Sequence, residues 1–367
     1  MDNYGYENQG SFFYSEPGWS SFTLDDERRA KSRFSRMFLA LFFFTVAANA
    51  AAWIAQLVVL IIAGEEKALE IFDSYWYVWV MNIVAMYLVA FPIYFLIVRK
   101  MRKVDRMKSN MKISDFIVLF FISQAFTYVG SMIGSLFNNM FTAIFGEAPE
   151  NVVEDMVVSS PVWIIILVTV IVAPIVEELM FRKLLIDRMS IYGDKLAIIV
   201  SAIAFGLFHG NFYQLFYATL IGFILGYIYT KTGNIIYPIA MHILFNLWGT
   251  LPARLLGDSI DRYYELTELM ATEGEAAIDM AEYLSLTLLV GGYSMIQMGF
   301  VIVGVVFFIK RLRKTFISDR CEVSIPKARR AAVIIGNAGA ILFIVITALT
   351  MIANIIMPLL NSAVAGA

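Results

Sequence analysis

The chain has 367 residues, of which 60% are hydrophobic and 16% are charged, with a mean hydropathy of +0.73 and a formal net charge of −2. This composition excludes a water-soluble globular protein and predicts an integral membrane protein whose surface mostly faces lipid, with no nucleic-acid partner. Cys321 is the single cysteine, which excludes an internal disulfide and any multi-cysteine metal site.

The N-terminal region lacks periodicity, and we expect a disordered cytoplasmic tail over residues 1–35. The first apolar run begins near Met37 and is too long for a cleaved signal sequence, so it is expected to remain as an anchor. About 20 apolar residues are needed for a helix to cross the hydrocarbon core. Apolar runs occur at 37–63, 76–98, 115–145, 161–187, 195–210, 212–230, 235–251, 284–309 and 331–360. We therefore predict an all-α, polytopic transmembrane bundle of about eight to nine spans; whether 195–251 forms three full spans is left open.

The distribution of Lys and Arg between the runs predicts the orientation, because short cytoplasmic loops are enriched in these residues. Basic residues concentrate at 28–36, 99–112, 188–195, 310–314 and 327–330, whereas acidic residues concentrate at 65–73, 147–155 and 258–282. We place the basic segments and the N-terminus in the cytoplasm and the acidic segments outside. The expected location is the cell membrane.

The stretch "IVEELMFRKLL" at 175–185 carries charges at membrane depth, where each charged side chain is a candidate functional residue. Glu177 and Glu178 point about 100° apart on a helix, whereas Glu178 and Arg182 are four residues apart and share a face. This geometry predicts an ion pair between Glu178 and Arg182. Glu177 is then free to act as a general base.

Both histidines of the chain lie downstream in similar apolar settings. His209 follows Phe205 by four residues, and His242 precedes Asn246 by four, so each pair shares a helix face. At about 1.5 Å per residue, Glu177, His209 and His242 lie roughly 16, 21 and 12 Å from the predicted cytoplasmic helix ends. We therefore expect these side chains to meet near the middle of the bilayer.

Structural interpretations of the same residues remain open at this point. A Glu–Arg pair in a membrane can be purely structural, and a histidine can simply hydrogen-bond a neighbouring helix. Pro174 is interpreted as a kink in its helix rather than as a catalytic residue. The joint occurrence of a glutamate and both histidines at matching depths favours a functional site.

Three motifs, "EELMFR" (177–182), "FGLFH" (205–209) and "HILFN" (242–246), together resemble the CPBP family of intramembrane proteases. This family includes the type II CaaX prenyl proteases and the bacterial bacteriocin-processing and immunity proteins, also called the Abi family. The resemblance spans roughly 160–250 and implies a helical membrane endopeptidase with a catalytic core of the CaaX protease type.

By position, the resemblance implies a role for each motif residue. Glu177 with His209 would activate water, and His242 with Asn246 would hold the substrate carbonyl and stabilise its oxyanion. The supporting residues would be Glu178, Arg182 and Phe205. One departure concerns Lys183, where relatives often have a small residue, so the local fit of the helix is open.

The resemblance leaves the role of metal open, because family members have been described as metalloproteases and as metal-independent glutamate proteases. Two His and one Glu form a known zinc set, yet no "HExxH" occurs. No cofactor is preferred here, and zinc remains possible.

The resemblance and the charge pattern together predict the organisation of the chain and its partners. We expect a hydrophobic, lipidated or membrane-associated peptide as substrate and the lipid bilayer as surroundings. The alternative is a non-enzymatic scaffold that retains the fold. A proton-coupled transporter is disfavoured, because it would have two pseudo-symmetric halves and only one half of this chain carries motifs. The predicted regions are the tail 1–35, N-terminal helices 36–146, the CPBP/Abi-like core 147–256, an acidic external loop 257–283 and C-terminal helices 284–367.

Overall fold

The computed structural model describes residues 22–146, 156–157, 159–312 and 321–365, and in this part of the chain it contains helices and no strand. The predicted all-α fold is confirmed. The helices are α1 Leu24–Ala63, α2 Glu65–Phe72, α3 Tyr75–Val98, α4 Ile113–Phe145, α5 Val162–Tyr192, α6 Asp194–Phe208, α7 Phe212–Thr232, α8 Ile236–Glu273, α9 Met280–Leu312, α10 Lys327–Ile334 and α11 Ala338–Ala365.

Eight of the nine predicted apolar runs each coincide with one of these helices, whereas the run 331–360 covers the end of α10 and most of α11. Within the described residues, seven helices are long and apolar enough to cross a membrane: α1, α3, α4, α5, α7, α9 and α11. Helix α6 has only 15 residues, which gives it a length of about 22 Å, short of the hydrocarbon thickness. Helix α8 carries polar side chains in its apolar half, among them His242 and Asn246. The polytopic bundle is thus confirmed, with α6 set apart by its short length and α8 by its polar side chains.

Two predicted irregular segments are helical instead. Residues 24–35 form the first turns of α1, and a capping box fixes its start: the Asp26 backbone N–H donates to Thr23 Oγ1 at 3.1 Å, and the Thr23 N–H donates to the Asp26 carboxylate at 3.1 Å. The predicted external loop is largely a continuation of α8, which pairs with α9 through Arg262 and Glu282 at 2.9 Å. The remainder of the predicted tail, 1–21, and the acidic segment 147–155 lie outside the described residues.

Helix α5 packs at the centre of the bundle. Its residues Phe181 and Leu185 are fully buried in a core that α1, α3, α6 and α11 also build. Helix α6 approaches α7 closely because Gly206 has no side chain; a Cβ there would lie 2.5 Å from the Leu215 carbonyl oxygen. These contacts fix α5 and α6, which carry two of the three sequence motifs.

Three of the basic segments that were predicted to share one side of the membrane lie together at one end of the bundle, namely 28–36, 99–112 and 188–195. The Val104 N–H donates to the Asp187 carbonyl at 2.8 Å, and the Ser109 N–H donates to the Thr232 carbonyl at 2.7 Å. Arg33 of α1 donates to the Arg102 carbonyl at 2.7 Å. The loop 99–112 is therefore held against the ends of α5, α7 and α1, and we call this end of the bundle the basic end.

A buried ion network lies where α5 reaches the basic end. The carboxylate of Asp187 is fully buried and accepts hydrogen bonds from Arg106 Nε at 3.0 Å and from the Tyr229 hydroxyl at 2.9 Å. Lys183 Nζ lies 3.0 Å from the same carboxylate and 3.2 Å from the Tyr229 hydroxyl. We call these four residues the Asp187 network. The network gives the ammonium group of Lys183 an ion-pair partner. This explains how the helix accommodates Lys183, where relatives often have a small residue.

Candidate active site

Helix α5 changes its winding around the glutamate motif. The α-helical segment Ala173–Glu178 lies between two wider, π-helical segments, Ile166–Val172 and Leu179–Ile186. Pro174 has no backbone N–H and cannot make the hydrogen bond that a regular α-helix would place on Val170, so the helix is interrupted at this point. Such π-helical turns occur frequently at functional sites.

The predicted ion pair between Glu178 and Arg182 is present. Arg182 Nε lies 3.0 Å from Glu178 Oε2, and both side chains are fully buried. The two groups lack the alignment of a hydrogen bond, and within the described residues no hydrogen-bond acceptor meets the terminal nitrogen atoms of Arg182. The guanidinium carbon instead lies 4.7 Å from the ring centre of Phe205, in a cation–π contact.

Glu178 also has a second role that the sequence did not predict. Its Oε1 lies 3.0 Å from His242 Nδ1. Because a carboxylate only accepts hydrogen bonds, this contact places a proton on Nδ1 and turns Nε2 away from Glu178. Nε2 lies 3.8 Å from Glu177 Oε2, so the imidazole is positioned between the two glutamates.

His209 lies at the end of α6 with a defined ring orientation. Its Nδ1 is 2.7 Å from the Phe205 carbonyl oxygen. A carbonyl oxygen can only accept, so Nδ1 is the donor and Nε2 is left as the proton-accepting nitrogen of the neutral ring. The Phe205 ring contacts His209 edge-on at 4.9 Å and His242 at 5.7 Å between ring centres. Phe205 thus packs against both imidazoles and against Arg182.

The C-terminal helix supports the turn that follows His209. Gly210 has a φ of 67°, a left-handed conformation that favours glycine, and a Cβ there would lie 2.9 Å from Thr350 Cγ2. Asn354 donates from Nδ2 to the Gly210 carbonyl at 3.1 Å. Helix α11 therefore holds the end of α6 in place, although it lies far from the motifs in sequence.

Asn246 lies one turn beyond His242 on α8. Its Nδ2 donates to the Thr169 carbonyl at 2.8 Å, within the π-helical part of α5. This bond uses one of the two N–H groups of the amide and leaves the second. The contact ties α8 to α5 and fixes which end of the amide carries the donors.

The predicted residues meet in one cavity of about 540 Å³, which lies between α3, α5, α6, α7 and α8. Five of the seven candidates line it, namely Glu177, Phe205, His209, His242 and Asn246, while Glu178 and Arg182 lie behind them. The sequence missed further polar lining residues that lie inside apolar runs, among them Asn49, Asn82, Tyr87, Gln214, Tyr217 and Asn354.

A second cavity of about 410 Å³ adjoins the first, between α1, α3 and α11. The two cavities share six lining residues, which are Asn49, Asn82, Met86, Met156, Phe208 and His209. We call these six residues the junction. A molecule that reaches from one cavity into the other passes the junction, of which His209 is one residue.

A catalytic zinc ion would bind three protein ligands at about 2.0–2.2 Å. Glu177 and His242 lie close to one another, at 3.8 Å. However, the described residues contain no group of three His, Cys, Asp or Glu side chains arranged to hold a metal ion. The side chains as placed do not fit a three-ligand zinc site.

Comparison with known proteins confirms the resemblance that the motifs predicted. Residues 159–248 match the family model described as "Rce1-like: Type II CAAX prenyl endopeptidase Rce1-like". The chain is 31% identical over 105 residues to "Putative membrane peptidase YdiL" of Bacillus subtilis (strain 168), and 32% identical over 97 residues to "UPF0177 protein YxdF" of Lactococcus lactis subsp. lactis (strain IL1403).

These matches are confined to the part of the chain that carries the motifs. They cover 28% and 26% of this chain, and the chain spans 42% and 51% of the length of the two relatives. No solved structure is significantly similar to the chain. Helices α1 to α4 and α9 to α11 therefore lie outside the segment matched by the family model.

Proposed function

We propose that this protein is an intramembrane endopeptidase that hydrolyses a peptide bond in a hydrophobic, lipidated or membrane-associated peptide. The observation that carries the proposal is the meeting of Glu177, His209, His242 and Asn246 in one cavity, within a segment that matches a family of membrane endopeptidases. Helices at this depth are surrounded by lipid, so the peptide substrates that reach the cavity are apolar or anchored in the bilayer.

In the proposed reaction, Glu177 and His209 activate a water molecule. Both side chains line the cavity, and His209 Nε2 accepts a hydrogen bond from the water because Nδ1 donates to the Phe205 carbonyl. The water oxygen bonds to the peptide carbonyl carbon as its proton passes to Glu177. The same carboxyl group then returns the proton to the leaving nitrogen as the C–N bond breaks.

His242 and Asn246 stabilise the oxyanion that forms on the carbonyl oxygen. Asn246 donates through its second N–H, while the first stays on Thr169. His242 donates through Nε2, which requires a proton on both ring nitrogens. Donors that are positioned on the developing oxyanion stabilise the transition state.

The proposed steps use only side chains of this protein. Where a family member holds zinc, the metal would polarise the carbonyl and activate the water. The side chains here supply the corresponding proton acceptors and donors themselves.

We also infer that the basic end of the bundle faces the cytoplasm of a cell membrane, with the N-terminus on that side, because Lys and Arg concentrate in its loops. A reporter fused after Lys108 is expected in the cytoplasm and one fused at Glu268 outside. Both reporters on the same side would overturn this orientation.

The proposed function is tested by comparing peptides in membranes from cells that produce the wild type or the Glu177→Gln variant at equal levels. The wild type is expected to generate new peptide termini within apolar segments, and the variant is expected to accumulate the uncleaved proteins. Identical peptide profiles in the two membranes would favour the non-enzymatic scaffold.

A further inference from the structure

The junction between the two cavities combines His209 with two amide side chains from helices outside the family match. Asn49 lies on α1 and Asn82 lies on α3, and both line both cavities. The other junction residues are Met86, Met156 and Phe208, which are apolar. The amides therefore form the polar part of the passage, together with the imidazole that we place in the reaction.

The amide groups of Asn49 and Asn82 have hydrogen-bonding capacity that the protein does not use. Asn49 donates one N–H to the Thr45 carbonyl of its own helix at 2.8 Å, which leaves its carbonyl oxygen and a second N–H. Within the described residues, the side chain of Asn82 forms no hydrogen bond. An amide group inside an apolar span costs free energy unless it forms hydrogen bonds. We therefore expect the unused groups of Asn49 and Asn82 to bind a partner at the junction.

An extended peptide has the matching chemistry. Each of its residues offers one N–H donor and one C=O acceptor, and in a cavity surrounded by lipid these groups need partners. An asparagine side chain carries both a donor and an acceptor and can pair with a peptide unit. A small apolar molecule would instead leave both amides unpaired.

We infer that Asn49 and Asn82 bind the backbone of a substrate peptide that occupies both cavities at once and position its scissile bond beside His209. This inference rests on the proposed protease activity. The residues on one side of the cleaved bond lie in the cavity with Glu177, and those on the other side lie in the second cavity. Phe44, Ala48 and Ala85 line that second cavity with apolar groups.

The geometry implies cleavage within a peptide rather than at its end, because chain must extend from the cleaved bond in both directions. Each extended residue spans about 3.3 Å, so the junction holds only a few residues. The second cavity adds a preference for apolar side chains on one side of the cleaved bond.

The test uses a synthetic pool of apolar 12-residue peptides and purified full-length protein in lipid nanodiscs. Cleavage is measured by mass spectrometry with the wild type, and peptide retention is measured with the Glu177→Gln variant. Asn49→Ala and Asn82→Ala are each expected to raise KM roughly 3- to 10-fold with little change in kcat, as loss of a substrate hydrogen bond would. Asn82→Gln, which keeps an amide, is expected to restore part of the affinity.

Two further variants separate the effect of polarity from that of volume and folding. Asn82→Leu keeps the volume and is expected to behave as Asn82→Ala does. Asn138→Ala is the matched control, because Asn138 is a buried amide on α4 that lines neither cavity. It is expected to leave KM unchanged.

The outcomes distinguish this inference from the proposed function. If the wild type cleaves the peptides and the Asn49 and Asn82 variants keep its KM, the binding role of the amides is overturned and the protease stands. If Glu177→Gln retains peptides equally well with and without both Asn→Ala changes, the same conclusion holds. If the wild type does not cleave any peptide and the Glu177→Gln variant does not retain any, both proposals are rejected for apolar peptides.

Discussion

Helix α5 contributes to two groups of charged side chains that differ in how fully their hydrogen bonds are satisfied. In the Asp187 network, the carboxylate meets a guanidinium, an ammonium and a hydroxyl, each at 2.9–3.0 Å. In the group around Glu177, the terminal nitrogens of Arg182 have no hydrogen-bond acceptor among the described residues, and Glu177 opens onto a cavity.

This difference separates a fully paired network from the group to which we assign the proposed reaction. A buried polar network whose members are all paired makes the local structure rigid, and the Asp187 network holds the loop 99–112 against α5 in this way. Groups left with unused hydrogen-bonding capacity in a cavity can instead interact with a substrate. Two charged groups on one helix therefore predict opposite responses to substitution.

The largest expected effect is on turnover, from Glu177→Gln. The substitution removes the proposed general base, whose contribution is typically 10²–10⁴-fold, so cleavage is expected to fall by roughly that factor. The shape of the side chain is kept, and its carboxylate makes no ion pair closer than 3.8 Å, so thermal stability is expected to stay at the wild-type value. Cleavage kinetics and thermal unfolding in nanodiscs measure the two quantities.

The neighbouring glutamate provides the contrast for this prediction. Glu178→Gln leaves the buried Arg182 without its counter-ion and His242 without its charged acceptor, so folded yield is expected to fall together with turnover. Glu268→Gln, at an exposed position of α8, is the control and is expected to change neither. Equal losses of folded yield for Glu177→Gln and Glu178→Gln would show that both carboxylates are structural.

The next largest effect is expected from Asn246→Ala. Loss of one oxyanion donor typically lowers turnover by 10²–10³-fold, and we expect a decrease of roughly this size. The lost bond to Thr169 is a single neutral hydrogen bond, worth about 1 kcal/mol, so the variant is expected to fold. Asn138→Ala serves as the control for removal of an amide from a membrane helix.

Chelation of metal ions tests the same prediction, because Asn246 acts as an oxyanion donor only in the metal-free reaction. In a zinc mechanism, the metal would polarise the carbonyl instead. The wild type is expected to keep its turnover after exhaustive chelation, while Asn246→Ala stays impaired. Stoichiometric zinc by mass spectrometry, with turnover lost on chelation and restored by zinc, would overturn the metal-free steps and leave the endopeptidase proposal intact.

The sequence predicted those features that depend on local pattern. Apolar runs predicted the helices, and helical spacing predicted the pairing of Glu178 with Arg182. The start of α1 was missed, although Thr23 and Asp26 form a capping box that the spacing allows. The spacing of Thr23 and Asp26 was thus a local signal for the start of a helix. The polar composition of the segment led to the prediction of a disordered tail instead.

Other features depend on contacts between distant parts of the chain. Glu178 orients His242 across 64 residues, and Asn354 holds the turn after His209 from 144 residues away. Neither contact has a periodic signal, because the packing of separate helices decides which polar groups meet. Amide side chains inside apolar runs can be noticed in the sequence. That Asn49 and Asn82 lie at the same junction as His209 can be seen only in the folded structure.

A smaller effect on turnover and a larger one on stability are expected from Asp187→Ala. The substitution removes the acceptor that Arg106 Nε and the Tyr229 hydroxyl share, whereas Arg106 keeps its ion pair with Asp194 at 2.7 Å. A buried donor left without its acceptor typically costs about 1–3 kcal/mol. Thermal unfolding is expected at a lower temperature, whereas kcat per folded molecule is expected to stay near the wild-type value. Asp105→Ala, at an exposed aspartate in the same loop, is the control. A loss of kcat with unchanged stability would contradict the division between the two groups.

The smallest effect is expected from Lys183→Ala, which tests the one departure from the family pattern. Its ammonium group lies 3.0 Å from Asp187, but the side chain is 42% exposed, so screening by solvent limits the ion pair to about 1 kcal/mol or less. Asp187 keeps Arg106 and Tyr229 in the variant, so its buried carboxylate stays paired. We therefore expect a slightly lower unfolding temperature and an unchanged kcat, and a small residue at this position is compatible with the same helix. A large loss of kcat in Lys183→Ala would show that the Asp187 network controls the position of Glu177, which lies six residues before Lys183 on α5. The two charged groups of α5 would then act as one unit.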